Sequence, residues 1–235
     1  MCADAALEDD LVSGLGELLD ACADGRLETL EALLDTIVSG GQLRDYLVSS
    51  RTHDGLARIA RQGAPEAHPN GFSCVAVAFR PSRWRLRLHL WTRPAKQADI
   101  HSHRWNFASR LLAGSLSTRS YRAHPEPGDH LRFACGRSAA HGYTFRCMGS
   151  CRISQTGERT YRAGDAYGQD WQGLHTVDPA ALPAMTVVLQ GKDLADESTV
   201  ITQGDVKSSS EVPIRPLTVE QIRQVIDLAL AGLPG

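Results

Sequence analysis

The spacing of apolar residues changes near position 70. Over about the first sixty residues, leucines and isoleucines recur at three- and four-residue steps, which predicts amphipathic helices. From Phe72 onward the period falls to two, which predicts β-strands. The two helical stretches are marked by Leu7, Leu11, Leu15 and Leu18, and by Leu27, Leu30, Leu34 and Ile37.

The later part of the chain divides into many short strands separated by turn residues. This pattern is typical of a β-sandwich or barrel. We therefore expect a mostly β fold, with helices ahead of the barrel. The predicted strands span 72–79, 84–91, 98–103, 107–113, 115–121, 130–134, 143–148, 151–155, 158–162, 173–177, 185–190 and 198–202.

One more helix is predicted at the end of the chain. Thr218 stands three residues before Gln221 in a capping-box pattern, and Ile222, Val225 and Ile226 follow at helical spacing. We expect one globular unit with three stretches. These are a helical segment at 1–65 packed on the barrel, the barrel at 66–205, and a loop with the C-terminal helix at 206–235.

Composition excludes several classes of partner. The 235 residues are 42% hydrophobic, which suffices for one domain with a full core. A net charge of −2 gives no field that would attract nucleic acid or an anionic membrane. The beginning of the chain lacks the pattern of a signal peptide, and the six cysteines lack paired spacing. We expect a cytoplasmic protein with reduced thiols.

Three histidines form the strongest chemical signal. His101 and His103 stand two residues apart in a predicted strand, so both imidazoles point to one side, and His175 arrives from another strand. Imidazole nitrogens suit Fe(II), Zn, Ni or Cu, and three of them leave positions open for substrate and dioxygen. The alternative is that His101 and His103 are solvent-facing strand residues.

The region around these histidines resembles the cupin superfamily, whose first motif runs Gly-x5-His-x-His-x3–4-Glu-x6-Gly. Ten residues stand between His103 and Gly114, as in that motif, whereas Phe107 occupies the glutamate position. The resemblance implies a cupin jelly-roll barrel with a metal site of three histidines and no glutamate: His101, His103 and His175.

Within the cupins, the chain is most similar to the cysteine dioxygenase and thiol dioxygenase family. The similarity lies in the segments 84–91, 110–116 and 162–175. Cys74 stands where that family has a carboxylate-binding arginine, and Phe107 or Ala108 stands in place of its cross-linked cysteine. Gln190 replaces the tyrosine that completes the cross-link. These departures argue against free cysteine as the substrate.

The strand at 84–91 alternates strictly, with Arg85, Arg87, His89 and Trp91 on one face. In one interpretation the arginines face solvent and the leucines face the core. In the other, which follows the family resemblance, Trp91 borders the active cavity and turns Arg87 and His89 inward. Arg87 would then clamp the anionic group of a substrate, since a guanidinium matches a carboxylate bidentately.

Other residues are weaker candidates for the site. Tyr167 lies just before the third histidine and could direct its hydroxyl at bound oxygen, or simply pack in the barrel. His89 could supply a proton or be a satisfied barrel histidine. Arg85 and Arg110 are further candidates for substrate binding, together with Trp91. Five histidines are expected at the surface: His53, His68, His124, His130 and His141.

These observations favour a mononuclear non-haem Fe(II) oxygenase or dioxygenase. Its partners would be dioxygen and a small, anionic amino-acid- or thiol-like substrate of specialised metabolism, and the protein would be a monomer or homodimer. The first alternative is a cupin that uses Zn, Ni or Mn as a Lewis acid for isomerisation, decarboxylation or hydrolysis. The second is a cupin that binds a small ligand without turnover.

Overall fold

The computed structural model describes residues 14–22, 24–62, 64–68, 70–94, 99–137, 142–203, 212–213 and 215–234. A helical stretch at 14–19 runs into the turn Asp20–Cys22, while the predicted helix positions Leu7 and Leu11 lie outside the described residues. In the described part of the chain, no helix combines the length and apolarity that crossing a membrane requires. The further helices are α1 (Leu27–Ser39), α2 (Gln42–Ser49), α3 (His53–Gln62) and α4 (Val219–Gly232).

Between α3 and α4, the described residues form twelve strands. They form one predominantly antiparallel sheet that curls around a cavity. The strands are β1 (Glu66–Ala67), β2 (Ser73–Arg80), β3 (Trp84–Trp91), β4 (Ile100–His101), β5 (Phe107–His124), β6 (His130–Arg137), β7 (Gly142–Arg162), β8 (Ala166–Gln169), β9 (Leu174–Gln190), β10 (Ser198–Gln203), β11 (Val212–Pro213) and β12 (Arg215–Pro216).

The sheet joins into a ring that is only partly closed. Strand β9 pairs with β4, and the chain of pairings continues through β10, β6, β7 and β5 back to β9. Among the described residues, β4 and β9 are joined by the single pair His101 and His175. This arrangement confirms the predicted mostly β barrel with N-terminal helices and one C-terminal helix.

Several predicted strands are parts of longer ones. The strands predicted at 107–113 and 115–121 form one strand, β5, because Gly114 adopts a positive φ of 70° and turns the chain without ending the ladder. Three predicted strands likewise merge into β7. The short strand β8 was not expected, and β11 and β12 lie where a loop was predicted.

The helices cover the apolar face of β3. Trp84, Leu86, Leu88 and Leu90 are buried in one core cluster with residues of all four helices. The buried Tyr46 of α2 also donates a hydrogen bond of 2.5 Å to the carbonyl oxygen of Val77 in β2. Because this face of β3 is covered by helices, its opposite face is left to line the interior of the barrel.

The predicted capping box at the start of α4 is present. The Thr218 hydroxyl accepts a hydrogen bond of 3.3 Å from the Gln221 N–H, and the Gln221 side chain accepts one of 2.9 Å from the Thr218 N–H. These two bonds satisfy backbone donors that have no partner inside the helix. The helix then buries Ile222, Val225 and Ile226, as the apolar spacing predicted.

Gly114 allows the backbones of β5 and β9 to approach closely. A Cβ atom at this position would lie within 3.0 Å of the Pro183 and Ala181 carbonyl oxygens and the Ala184 Cα. These are backbone atoms and cannot move as a flexible side chain would. The glycine therefore meets two demands at once, a positive φ and close contact between strands.

We expect Gly114→Ala to lower the free energy of unfolding by about 3 kcal/mol, because it adds both backbone strain and overpacking. Urea denaturation followed by circular dichroism measures this change. The control is Gly157→Ala in β7, where a Cβ would meet nothing within 4 Å; it is expected to change stability by less than about 0.5 kcal/mol. Equal effects of the two substitutions would contradict the packing argument.

Candidate metal centre

Two strands bring the three predicted histidines together. Strand β4 ends at His101, two residues earlier than the predicted strand, so His103 lies beyond it. Hydrogen bonds nevertheless hold the backbone that follows. The Ser102 N–H donates to the Thr199 carbonyl at 2.9 Å and the His103 N–H donates to the Trp171 carbonyl at 3.1 Å. His103 is thereby fixed beside His175 of β9.

The three imidazoles have the geometry of a metal site. One ligand nitrogen from each of His101, His103 and His175 lies within 4.8 Å of the other two. The Nε2 atoms of His103 and His175 are 3.2 Å apart, close to the roughly 3 Å expected for two nitrogens that share one cation. The Nδ1 atom of His101 lies 2.9 Å from the Asp99 carbonyl oxygen, which leaves its Nε2 for the centre.

Burial keeps these imidazoles neutral. It lowers the pKa of His101 below 6.5, although Asp99 partly offsets the effect. The pKa values of His103 and His175 fall well below 6.5, first because of burial and then because a second protonated imidazole so close to His101 would be repelled. Neutral imidazole is the form that binds a metal. The chemistry of this donor set therefore fits a divalent transition metal.

The histidines open onto a cavity of about 310 Å³. On one wall, the polar face of β3 contributes Arg87, His89 and Trp91 to the lining. The structure thus places these three side chains inward, in the arrangement that followed from the family resemblance. Cys74 also lines the cavity, on the neighbouring strand β2.

Arg87 is held against an aromatic ring. Its guanidinium carbon lies 5.5 Å from the centre of the Trp105 ring, and its Nε is buried without a hydrogen-bond partner among the described residues. The charge of Arg87 contributes to lowering the pKa of both His89 and His103, after the larger effect of burial. A cation that has no anionic partner in the described part of the chain therefore lies near the candidate metal centre.

Tyr167 also lines the cavity. Its ring stacks on Tyr161 with 4.5 Å between ring centres. Burial raises the pKa of Tyr167 to about 12, so the hydroxyl keeps its proton at neutral pH. It can donate a hydrogen bond into the cavity, and its ring also packs in the barrel, so both roles considered for it are compatible with its position.

The structure does not bring the other two candidate arginines to the cavity lining. Arg110 points toward the helices, where its Nη1 atom lies 2.5 Å from Oδ1 of Asp35 in α1. Arg85 shares the face of Arg87 but lies one step nearer the start of β3 and does not line the cavity. Substrate binding by either residue stays a prediction.

Sequence reasoning missed part of the lining. His68 was expected at the surface, but it is half-buried in the cavity wall and stacks on Phe72 with 4.3 Å between ring centres. Thr186 and Gln190 of β9 also line the cavity. Their signal in the sequence is two polar residues four positions apart, and so on one face, in the otherwise apolar stretch 185–190. His68 lies outside the predicted strands and carried no such signal.

No protein-family model and no curated protein matches the chain. Among solved structures, it is similar to an RmlC-like cupin from Shewanella frigidimarina, with 12% identity, a TM-score of 0.34, and coverage of 58% of this chain and 89% of that one. It is also similar to hydroquinone 1,2-dioxygenase from Sphingomonas sp. TTNP3, with 10% identity, a TM-score of 0.32, and coverage of 58% of this chain and 74% of that one. An oxalate decarboxylase from Bacillus subtilis is 9% identical, with a TM-score of 0.32 and coverage of 57% of this chain and 28% of that one.

The lowered pKa of His89 predicts loss of stability in acid. The unfolded chain binds a proton below about pH 6.5 that the folded chain does not. Stability from this group is therefore fully present above pH 6.5 and is lost as the pH falls below it. The loss from one histidine reaches about 1.4 kcal/mol per pH unit.

Urea denaturation of metal-free protein between pH 7.5 and 4.5 measures this slope, and we expect His89→Leu to make it shallower. Thr186→Val is the control, because it changes the side chain opposite His89 in the sheet without removing a titrating group. The control is expected to keep the wild-type slope. An unchanged slope in His89→Leu would show that His89 is not kept neutral by burial.

Proposed function

We propose that this chain is a mononuclear non-haem Fe(II)-dependent oxygenase or dioxygenase of the cupin type, related to the thiol dioxygenases. Its substrate is a small anionic molecule resembling an amino acid or a thiol. The observation that carries the proposal is the placement of three neutral imidazoles and a guanidinium around one cavity. The imidazoles fit a metal, and the guanidinium fits an anion that reaches the same space.

His101, His103 and His175 would hold the metal through neutral nitrogens. Bound there, iron supplies open coordination positions for substrate and dioxygen and the electron transfer that oxygen chemistry requires. Arg87 binds the anionic group of the substrate, while Trp105 fixes the guanidinium from its other side. Burial keeps the Tyr167 proton in place, so this hydroxyl donates a hydrogen bond and does not act as a base.

A second candidate function uses the same site without oxygen. A donor set of three histidines suits Zn and Ni as well as iron, so the chain could be a Lewis-acid cupin that isomerises, decarboxylates or hydrolyses its substrate. Manganese is a further alternative for such an enzyme. A cupin that binds a small ligand without turnover is the remaining possibility. Metal content and oxygen consumption distinguish the three.

We expect anaerobically purified protein to hold close to one iron per chain and to consume oxygen only with substrate. A panel of small thiols, amines and amino acids in an oxygen electrode provides the second measurement. His175→Ala should lower metal affinity by more than about 100-fold, because even residues behind a ligand change affinity 10- to 100-fold. His89→Leu, also a buried cavity histidine, should retain the metal.

The outcomes separate the candidates. Zinc or nickel with no oxygen consumption would favour the Lewis-acid enzyme, and a protein that binds no metal would favour the ligand-binding cupin. Equal loss of metal in both variants would contradict the assignment of ligands. Circular dichroism of each variant shows whether loss of metal reflects loss of fold.

We expect Arg87→Ala to retain the metal and to weaken substrate binding by about 2–5 kcal/mol, because a charge-assisted bidentate contact is lost. Arg87→Lys keeps the charge but lacks the paired N–H donors that bind a carboxylate bidentately, so it should recover only part of the affinity. The measurements are metal content and KM for the substrate found in the panel. Wild-type KM in Arg87→Ala would show that Arg87 does not bind the substrate.

A further inference from the structure

A group of buried polar atoms surrounds Arg87 without partners. The group comprises Arg87 Nε, His89 Nε2, Thr186 Oγ1 and Gln190 Oε1, each of which has no hydrogen-bond partner among the described residues. Thr186 is 1% exposed and Gln190 is 2% exposed. Buried polar atoms in native proteins are nearly always bonded, and leaving one unpaired is costly. Because all four side chains line the cavity, a ligand there is able to supply the missing bonds.

The strand register makes these side chains one patch. His89 faces Thr186 directly across β3 and β9, while Arg87 faces Val188 and Arg85 faces Gln190. Thr186 and Gln190 are therefore the two diagonal neighbours of Arg87, each roughly 7–8 Å away along the sheet. A small molecule can bridge such a distance. We refer to Arg87, His89, Thr186 and Gln190 as the polar patch.

The polar patch contains a charged side chain and uncharged ones, and each kind favours a different group on a ligand. Arg87 requires an anion, and its free Nε allows a carboxylate to bind side-on. Thr186 and Gln190 are uncharged and, by rotation of the hydroxyl or the amide, either donate or accept a hydrogen bond. An anion alone leaves them unsatisfied. A neutral hydroxyl or amino substituent satisfies them.

Aromatic side chains form a large part of the remaining walls, alongside valines and polar residues. Besides Tyr167, the lining includes Phe72, Trp91, Trp105, Phe107, Tyr143 and Phe145. Aromatic side chains pack best against flat rings, through stacked or edge-to-face contacts. An aliphatic amino acid offers little surface to these walls, whereas one substituted ring fits a cavity of about 310 Å³.

We infer that the substrate is a small aromatic acid that carries a hydroxyl or amino group on its ring. Its carboxylate lies on Arg87, its ring lies between the aromatic walls, and its substituent bonds to Thr186 and Gln190. This inference rests on the proposed function for its placement beside the metal centre, and it narrows the small anionic substrate of that proposal to an aromatic acid. Its binding contacts are made by the protein chain alone.

Matched ligands test the inference by equilibrium binding. The probes are 3-hydroxybenzoate and 3-aminobenzoate, with benzoate lacking the substituent, phenol lacking the acid, and cyclohexanecarboxylate and cysteine lacking the aromatic ring. Isothermal calorimetry on the metal-free full chain gives each Kd, without any need for turnover. We expect the substituted benzoates to bind about tenfold more tightly than benzoate, as one further hydrogen bond allows, and cyclohexanecarboxylate and cysteine to bind more weakly still.

Two variants identify the side chains responsible. Thr186→Val and Gln190→Met remove unpaired polar atoms while keeping side-chain size, so the fold should persist. Each should reduce the preference for 3-hydroxybenzoate over benzoate from about tenfold toward one, with benzoate binding unchanged. Equal binding of the two acids by the wild type, equal weakening of both in the variants, or tighter binding of cysteine would overturn the inference.

The aromatic substrate and the oxygenase function can each be contradicted independently of the other. Loss of metal binding would remove the oxygenase but leave these ratios of Kd unchanged, because they are measured without metal. Conversely, iron and substrate-dependent oxygen consumption with a preference for cysteine would retain the oxygenase and exclude the aromatic acid.

Discussion

The candidate site depends on the way that β9 serves two parts of the barrel. Its first residues meet β4 through the pair His101 and His175, while residues 184–190 lie between β3 and the first half of β5. One strand thereby carries a candidate metal ligand, His175, at one end and the neighbours of Arg87 at the other. The close backbone contact at Gly114 allows β5 to stay paired with β9 on both sides of this glycine. The candidate site and the closure of the barrel thus depend on the same strand, β9.

Strand β3 shows how a single alternation supplies both stability and chemistry. Its apolar face is buried beneath the helices, where Trp84 and Leu88 join the main core. Its other face places Arg87 and His89 in the cavity, where a charge and a buried imidazole without full partners reduce stability. Burial of the apolar face in the main core offsets this loss of stability. Such a division is common where a fold positions polar groups for binding.

The sequence predicted the elements with strong local signals and missed what depends on distant contacts. Histidine spacing was enough to identify His101, His103 and His175 as one candidate cluster. It did not show that β4 ends at His101, because the following backbone is held by residues far along the chain. The alternation of β3 left open which face turns inward, since helix packing decides that. His68 was missed for the same reason, as its place depends on contacts with Phe72.

The most direct test of this account is to count the imidazoles on the metal. X-ray absorption spectroscopy of anaerobically prepared, Fe(II)-loaded protein measures the ligands of the bound ion and their distances. We expect three imidazole nitrogens at roughly 2.1 Å, with oxygen ligands from solvent at the remaining positions, and two imidazoles in His175→Ala. A spectrum without imidazole scattering, or one unchanged by His175→Ala, would contradict the central claim that these three histidines form one metal centre.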